Sequence, residues 1–236
     1  MKTTSALIAL GVISAIGIAP VQAASVKPFE VAVAEKTKKK KHPGRKVYRR
    51  KTCMACHGKG GVKAILDYPN IAGQNKKYLI KQIEDILSGK RVGSPDGSGK
   101  PRTEGMRGAL VTAEGEMRIS KQEIEDVADY LAGLAPAQPK APKDPISVED
   151  LEKGKKLYKK KKCQSCHGKD GKKPANKAYP YVAGQKSAYI VAQMTDIKEK
   201  IRKNGKSKTM VPFVKKLSME EMKLIADYLS QVDRSK

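Results

Sequence analysis

Apolar residues recur along this chain at helical spacing, and no segment shows the strict alternation of a half-buried strand. Two late stretches begin with a Ser-x-x-Glu pattern, at Ser120 and Ser218, in which the two side chains satisfy free backbone amides at a helix start. The pattern predicts an all-α protein. The predicted buried faces contain Tyr78, Ile80, Ile83, Ile86 and Leu87, then Ile124, Val127, Tyr130 and Leu131, then Met222, Ile225, Tyr228 and Leu229.

The same pattern occurs twice, because the chain is a tandem repeat. We therefore predict two domains, residues 42–134 and 147–236, joined by a proline-rich linker at residues 135–146 that behaves as a semi-rigid spacer. The matching segments are residues 44–48 with 154–158, 68–74 with 179–185, and 128–131 with 226–229, and single matches pair Tyr78, Gln82, Asp85 and Ile86 with Tyr189, Gln193, Asp196 and Ile197.

The beginning of the chain has the pattern of a targeting signal. Lys2 precedes a short apolar stretch, and Val21-Gln22-Ala23 fits a cleavage site, so residues 1–23 are predicted to be a signal peptide. An uncleaved anchor is the alternative, although the apolar stretch is short for a span of about 20 residues. Residues 24–41 are predicted to form a flexible basic arm.

The composition is poor in core material. The chain has no Trp, two Phe and 39% apolar residues. Domains of about 100 residues with so few large aromatic side chains are marginal without help. A large apolar cofactor buried in each domain would supply the apolar core volume that the side chains do not provide.

The net charge of +25 is unusually high. Nucleic acid is the usual partner of such a chain, but the predicted export argues against it. We expect instead that the charge steers the protein toward acidic redox partners, with an anionic membrane surface as a further possible partner.

Two short runs carry the candidate chemistry: Cys53-Met54-Ala55-Cys56-His57 and Cys163-Gln164-Ser165-Cys166-His167. A Cys-x-x-Cys-His run is typical of covalent haem c attachment, in which both thiols bind one porphyrin and the histidine binds the iron. The alternatives are a four-thiolate zinc site or two disulfides. Neither alternative uses the two histidines, which are two of only three in the chain. The sequence therefore predicts two covalently bound haem c groups.

Each iron then needs a ligand on its second axial side, and methionine is the general candidate. Met210 stands in a loop-like stretch between two helical patterns of the second repeat. In the first repeat both Met106 and Met117 lie between the equivalent helices, and Met106 needs the simpler rearrangement of insertions to align with Met210. His42, beside Pro43, is expected to be a surface residue.

These motifs, the paired Tyr-Pro…Ala-Gly-Gln segments, Met210 with Pro212, and the capped final helices resemble the two-domain dihaem class I cytochromes c of the cytochrome c4 type. They are also similar to the dihaem subunit of flavocytochrome c sulfide dehydrogenase. The resemblance covers most of residues 41–232 and implies haems close together and proline carbonyls that accept from the proximal histidines, while the periplasmic location is predicted from the signal peptide. By position these are Pro69 for His57 and Pro180 for His167. The chain departs from the family at residues 91–101 and 112–118 and in its lysine content.

The sequence therefore predicts a periplasmic electron carrier of a respiratory chain rather than an enzyme, exchanging electrons with a donor and with a terminal oxidase or dehydrogenase. Two alternatives stay open. One is the cytochrome subunit of a sulfur-oxidising dehydrogenase complex, and the other is a dihaem enzyme of the peroxidase type, in which one iron has an open coordination position.

Overall fold

A computed structural model describes residues 41–96, 98–142 and 144–235. The predicted signal peptide, residues 1–23, lies outside the described residues, as does the predicted arm, residues 24–41, except for Lys41. Within the described ranges the chain is helical; it has two isolated backbone bridges, Pro95 with Pro101 and Val111 with Met117, and no strand. The all-α prediction is confirmed.

In the part of the chain that the structure describes, each half contributes five α-helices in the same order, with a short 3₁₀ turn after the second. The first half contains α1 (Pro43–Arg50), α2 (Cys53–His57), the 3₁₀ turn Lys59–Gly61, α3 (Lys76–Leu87), α4 (Glu104–Leu110) and α5 (Lys121–Ala132). The second half contains α6 (Val148–Lys160), α7 (Gln164–His167), the 3₁₀ turn Lys169–Gly171, α8 (Ser187–Lys198), a further 3₁₀ turn at Gly205–Met210, α9 (Val211–Val214) and α10 (Met219–Ser230).

The first and last helices of each half cross at backbone contact. A Cβ atom on Gly44 of α1 would lie 1.9 Å from the carbonyl oxygen of Asp126 in α5, and one on Gly154 of α6 would lie 2.1 Å from that of Leu224 in α10. Because no side chain fits at either position, glycine is required for these two helix pairs to approach so closely.

Each half has its own apolar core, built on the helical faces that the sequence predicts. In α5 the buried residues include Ile124, Val127 and Leu131, and in α10 they include Met222, Ile225 and Leu229. Both helices begin with complete capping boxes at Ser120 and Ser218, as predicted. The face of α3 differs in detail: Leu79 is buried there together with Ile83, Ile86 and Leu87, while Tyr78 turns toward the second half.

None of the helices found in the described ranges has the length and apolarity needed to cross a membrane.

We predict that Gly154→Ala destabilises the folded protein by about 1–3 kcal/mol, the usual cost of overpacking, because its methyl group would meet the backbone of α10. Gly108→Ala in α4 is the matched control, since nothing lies within 4 Å of the added methyl group there. We expect it to be neutral or to stabilise by up to about 1 kcal/mol. Chemical denaturation measures both; a Gly154→Ala protein as stable as the wild type would contradict the helix crossing described above.

Candidate functional site

A cavity of about 400 Å³ with largely apolar walls extends through both halves of the described chain. Helices α1, α3, α4 and α5 line it in the first half, and α8 and α9 line it in the second. The structure brings both Cys-x-x-Cys-His runs to this cavity, whose wall includes Cys53, Cys56, His57, Cys163, Cys166 and His167.

All four cysteines carry free thiols in the structure. Burial raises the pKa of the Cys53 thiol to about 11, and it raises that of Cys163 to about 11 as well. Both thiols are therefore protonated at neutral pH. Among the described residues no three or more His, Cys, Asp or Glu side chains come together as a metal-binding group, so the geometry gives no four-thiolate arrangement.

The two histidines have a fixed ring orientation and tautomer. His57 Nδ1 lies 3.0 Å from the carbonyl oxygen of Pro69, and His167 Nδ1 lies 3.2 Å from that of Pro180. A carbonyl only accepts, so Nδ1 carries the hydrogen and Nε2 keeps the lone pair. Burial lowers the pKa of both imidazoles and keeps them neutral. Each histidine therefore offers Nε2 as the ring nitrogen for a metal, and the expected proline partners are confirmed.

A tyrosine holds the turn that follows each histidine. The Tyr48 hydroxyl donates to the carbonyl oxygen of Gly58 at 2.6 Å, and the Tyr158 hydroxyl donates to that of Gly168 at 2.9 Å. Both glycines have positive φ, 73° and 78°, and a Cβ atom on either would meet backbone within 2.3 Å. These tyrosines are almost fully buried, so the helix crossing that buries them also fixes the direction of the chain after the histidine.

In the first half, the structure separates the two methionine candidates. Met106 lies on α4, packs against the core of this half and lines the cavity. Met117 is 54% exposed and is not part of the cavity wall. Helix α4 was not expected from the sequence, since it is short and contains two glycines.

In the second half, Met210 lines the cavity and packs against the core, and so does Met194 of α8, which is buried. The prediction of a loop around Met210 is wrong in detail. Met210 is the last residue of the 3₁₀ turn Gly205–Met210, and α9 begins directly after it. A turn of this kind is too short to leave a periodic pattern in the sequence.

His42 is exposed at the surface as expected, although it has a local role. Its Nδ1 accepts from the backbone N–H of Gly44 at 3.1 Å and so caps α1, and its Nε2 lies 3.2 Å from Asp129. It is not part of the cavity wall.

The sequence reasoning missed a buried polar group between the halves, which we call the arginine cluster: Tyr78, Gln82, Arg91, Tyr189, Gln193 and Arg202. Arg91 donates to the Tyr189 hydroxyl at 3.0 Å and to Gln193 Oε1 at 2.9 Å. Arg202 donates to Gln82 Oε1 at 3.0 Å and to the Tyr78 hydroxyl at 3.3 Å. Both arginines are 8% exposed and reach the cavity wall.

The constant difference in residue number between the two repeats could have indicated this cluster. The same offset that pairs Tyr78 with Tyr189 also pairs Arg91 with Arg202. Arg91 is therefore an equivalent position in the two repeats, although it is the first residue of the segment 91–101 in which the chain was expected to depart from the family. The extra residues of the first half come after it.

Comparison with known proteins agrees with this geometry. A family model described as "Cytochrome c" matches residues 42–135 and 151–233. The chain is 35% identical over 180 residues to a protein named "Cytochrome c4" from Azotobacter vinelandii, covering 75% of this chain and 82% of that one. It is 24% identical over 181 residues to a "Thiosulfate dehydrogenase electron acceptor" from Stutzerimonas stutzeri, covering 76% and 78%.

The fold is similar to a solved structure, that of reduced recombinant cytochrome c4 from Pseudomonas stutzeri. The two structures match with a TM-score of 0.64 and 29% sequence identity. The match covers 80% of this chain and 96% of the other, so both halves take part in it.

Proposed function

The chain belongs to the cytochrome c family, and on that premise we propose that it is a dihaem electron carrier of a respiratory chain that works in the periplasm. The single observation that supports this most is the arrangement of both Cys-x-x-Cys-His runs on the wall of a mainly apolar cavity, each with a neutral imidazole whose Nε2 is kept free.

The residues present fit one covalently bound haem c in each half. Cys53 and Cys56 would attach the first macrocycle, with His57 as its proximal ligand. When bound, each haem supplies an iron that carries one electron between its ferric and ferrous forms. The chain has no Trp and only two Phe, and the cavity stands where a denser core would otherwise be. In the second half the corresponding residues are Cys163, Cys166 and His167.

We propose that the sulfur atoms of Met106 and Met210 would be the second protein ligands of the two irons. Both lie on short helical segments between the longer helices, and both face the cavity from the core side. Methionine opposite histidine is typical of electron-transfer haems. With a methionine sulfur as its second protein ligand, each iron would have no open position for a substrate, so an enzyme of the peroxidase type is not our proposal.

The partner that we propose is an acidic redox protein, such as a terminal oxidase. A net charge of +25 creates a long-range field that attracts a negatively charged surface and raises the association rate.

A second candidate function is the role of electron acceptor for a sulfur-oxidising dehydrogenase. The relative named "Thiosulfate dehydrogenase electron acceptor", which matches over most of both chains, favours it. A stable complex with a dehydrogenase, purified from native extract, would support this role over that of a general carrier.

We predict that the mature protein carries two added macrocycles, and that Met106→Ala allows carbon monoxide to bind one of its two ferrous haems. Removing the sulfur ligand opens a coordination position and lowers the potential of that haem. Met117→Ala is the matched control, because Met117 is exposed and lies outside the cavity wall. Mass spectrometry, optical spectra and redox titration measure these properties.

Three results would count against the assignment. A mature protein with the bare polypeptide mass would end the haem proposal. Carbon monoxide binding to the Met117→Ala variant alone would move the ligand to Met117. Carbon monoxide binding to half of the wild-type haem, with turnover of peroxide, would favour the dihaem enzyme instead.

We predict that electron transfer to a strongly acidic redox protein slows by about tenfold or more between low and high salt, because salt screens the attraction. A basic redox protein of similar potential is the control, and its rate should rise or stay constant. Stopped-flow kinetics over a range of ionic strength tests this. Equal salt dependence for both proteins would show that the lysines do not steer association.

A further inference from the structure

Two glutamines connect the halves by the same pair of hydrogen bonds, in opposite directions. Gln185 of the second half accepts from the backbone N–H of Asn70 at 3.0 Å and donates to the Asn70 carbonyl oxygen at 2.8 Å. Gln74 of the first half accepts from the N–H of Tyr181 at 2.8 Å and donates to its carbonyl oxygen at 2.9 Å. The two glutamines thus occupy equivalent positions across the interface.

The orientation of each carboxamide is fixed by its partners. Gln74 Oε1 also accepts from the N–H of Asn75 at 3.0 Å, and Gln185 Oε1 also accepts from the N–H of Lys186 at 3.0 Å. Two N–H donors therefore point at one end of each amide and a carbonyl oxygen at the other. If either carboxamide were flipped, its NH₂ group would face two N–H donors and its oxygen would face a carbonyl oxygen. The assignment of the amide oxygen is therefore unambiguous.

The peptide groups that the glutamines hold are the ones that orient the histidines. Pro69 supplies the carbonyl that accepts from His57, and the N–H of that same peptide group belongs to Asn70. Its two ends are thus bonded to His57 of the first half and to Gln185 of the second. The peptide group between Pro180 and Tyr181 likewise joins His167 to Gln74.

We propose that Gln185 is a positioning residue for His57, and Gln74 for His167, so that each half tunes the proximal imidazole of the other. A peptide group whose N–H is donated becomes a better acceptor at its carbonyl, because hydrogen bonds in a chain polarise one another. A stronger acceptor draws on the Nδ1 hydrogen and makes Nε2 a better donor to iron. This inference rests on the proposed function, since it requires haem iron at both histidines.

The proposal predicts the direction in which the reduction potential shifts, and this direction differs from the one expected if the glutamines only held the halves together. Without the glutamine the imidazole donates less electron density, the ferric state loses stabilisation, and the potential of that haem rises. Loosening of the interface would instead admit water, favour the more highly charged ferric state and lower the potential. The haem affected must also be the one in the half opposite to the substitution.

The experiment is a redox titration of the holoprotein in which NMR follows each haem separately, for Gln185→Leu and Gln74→Leu. We expect Gln185→Leu to change the reduction equilibrium of the first haem by about threefold in favour of the ferrous state, which is about 30 mV at 59 mV per tenfold. Gln74→Leu should do the same to the second haem. The other haem should stay within a fraction of that shift.

Asn75→Ala is the matched control. Its side chain also crosses the interface and donates to a backbone carbonyl oxygen, that of Tyr179, at 2.6 Å. The peptide group that follows Tyr179 contains the nitrogen of Pro180, which has no hydrogen, so it passes no polarisation to His167. We expect no upward shift at either haem in this variant. Should a leucine variant fail to fold, Gln185→Asn and Gln74→Asn keep the amide while shortening its reach.

Unshifted potentials, shifts in the same half as the substitution, downward shifts, or an upward shift equal to that of Asn75→Ala would each overturn the proposal. Absence of haem from the wild-type protein would overturn the proposed function itself, so the two failures are distinguishable.

Discussion

Backbone contact between the first and last helices of each half is the constraint on which the rest of the structure depends. Gly44 and Gly154 permit it, and the crossing buries Tyr48 and Tyr158 almost completely. Each tyrosine hydroxyl then reaches the turn after the Cys-x-x-Cys-His run and sets its direction. The histidine ring is thereby aimed into the cavity instead of outward. The packing contact between the two helices thus determines the orientation of the histidine ring.

The interface between the halves is polar, and it buries charged side chains of both signs. Arg91 and Arg202 are buried together with Asp85 and Asp196, which are 2% and 0% exposed. Asp196 Oδ1 accepts from the backbone N–H of Ser94 at 3.1 Å, and Asp85 Oδ2 accepts from the Asn204 amide at 2.8 Å. Burial of charge is tolerated only with such partners, and a shift in register would leave them unpaired. These hydrogen bonds therefore favour the observed placement of the halves over a shifted one.

Much of the fold was predictable because the signals are local. Capping boxes, helical spacing and the repeat depend on residues close in sequence, and the haem motif places its own ligands within five residues. The interface was not predictable in this way. The spacing of Gln74 and Gln185 says nothing of a partner in the other half, and the stripe of α3 does not show that Tyr78 faces a second domain. Helix α4 escaped prediction because its glycines weaken the helical pattern.

The connection between the halves is held by more contacts than the composition of the linker suggests. Ala137 of the linker is buried, at 6% exposure, and Arg234 from the end of the chain donates to the carbonyl oxygen of Ala72 at 2.8 Å. The Arg234 guanidinium also lies 4.7 Å from the centre of the Tyr181 ring. Gly73 makes this approach possible, since a Cβ atom there would meet Arg234 at 2.7 Å. A flexible tether would let the glutamine contacts open and close, whereas these additional contacts hold the peptide groups behind both histidines in place.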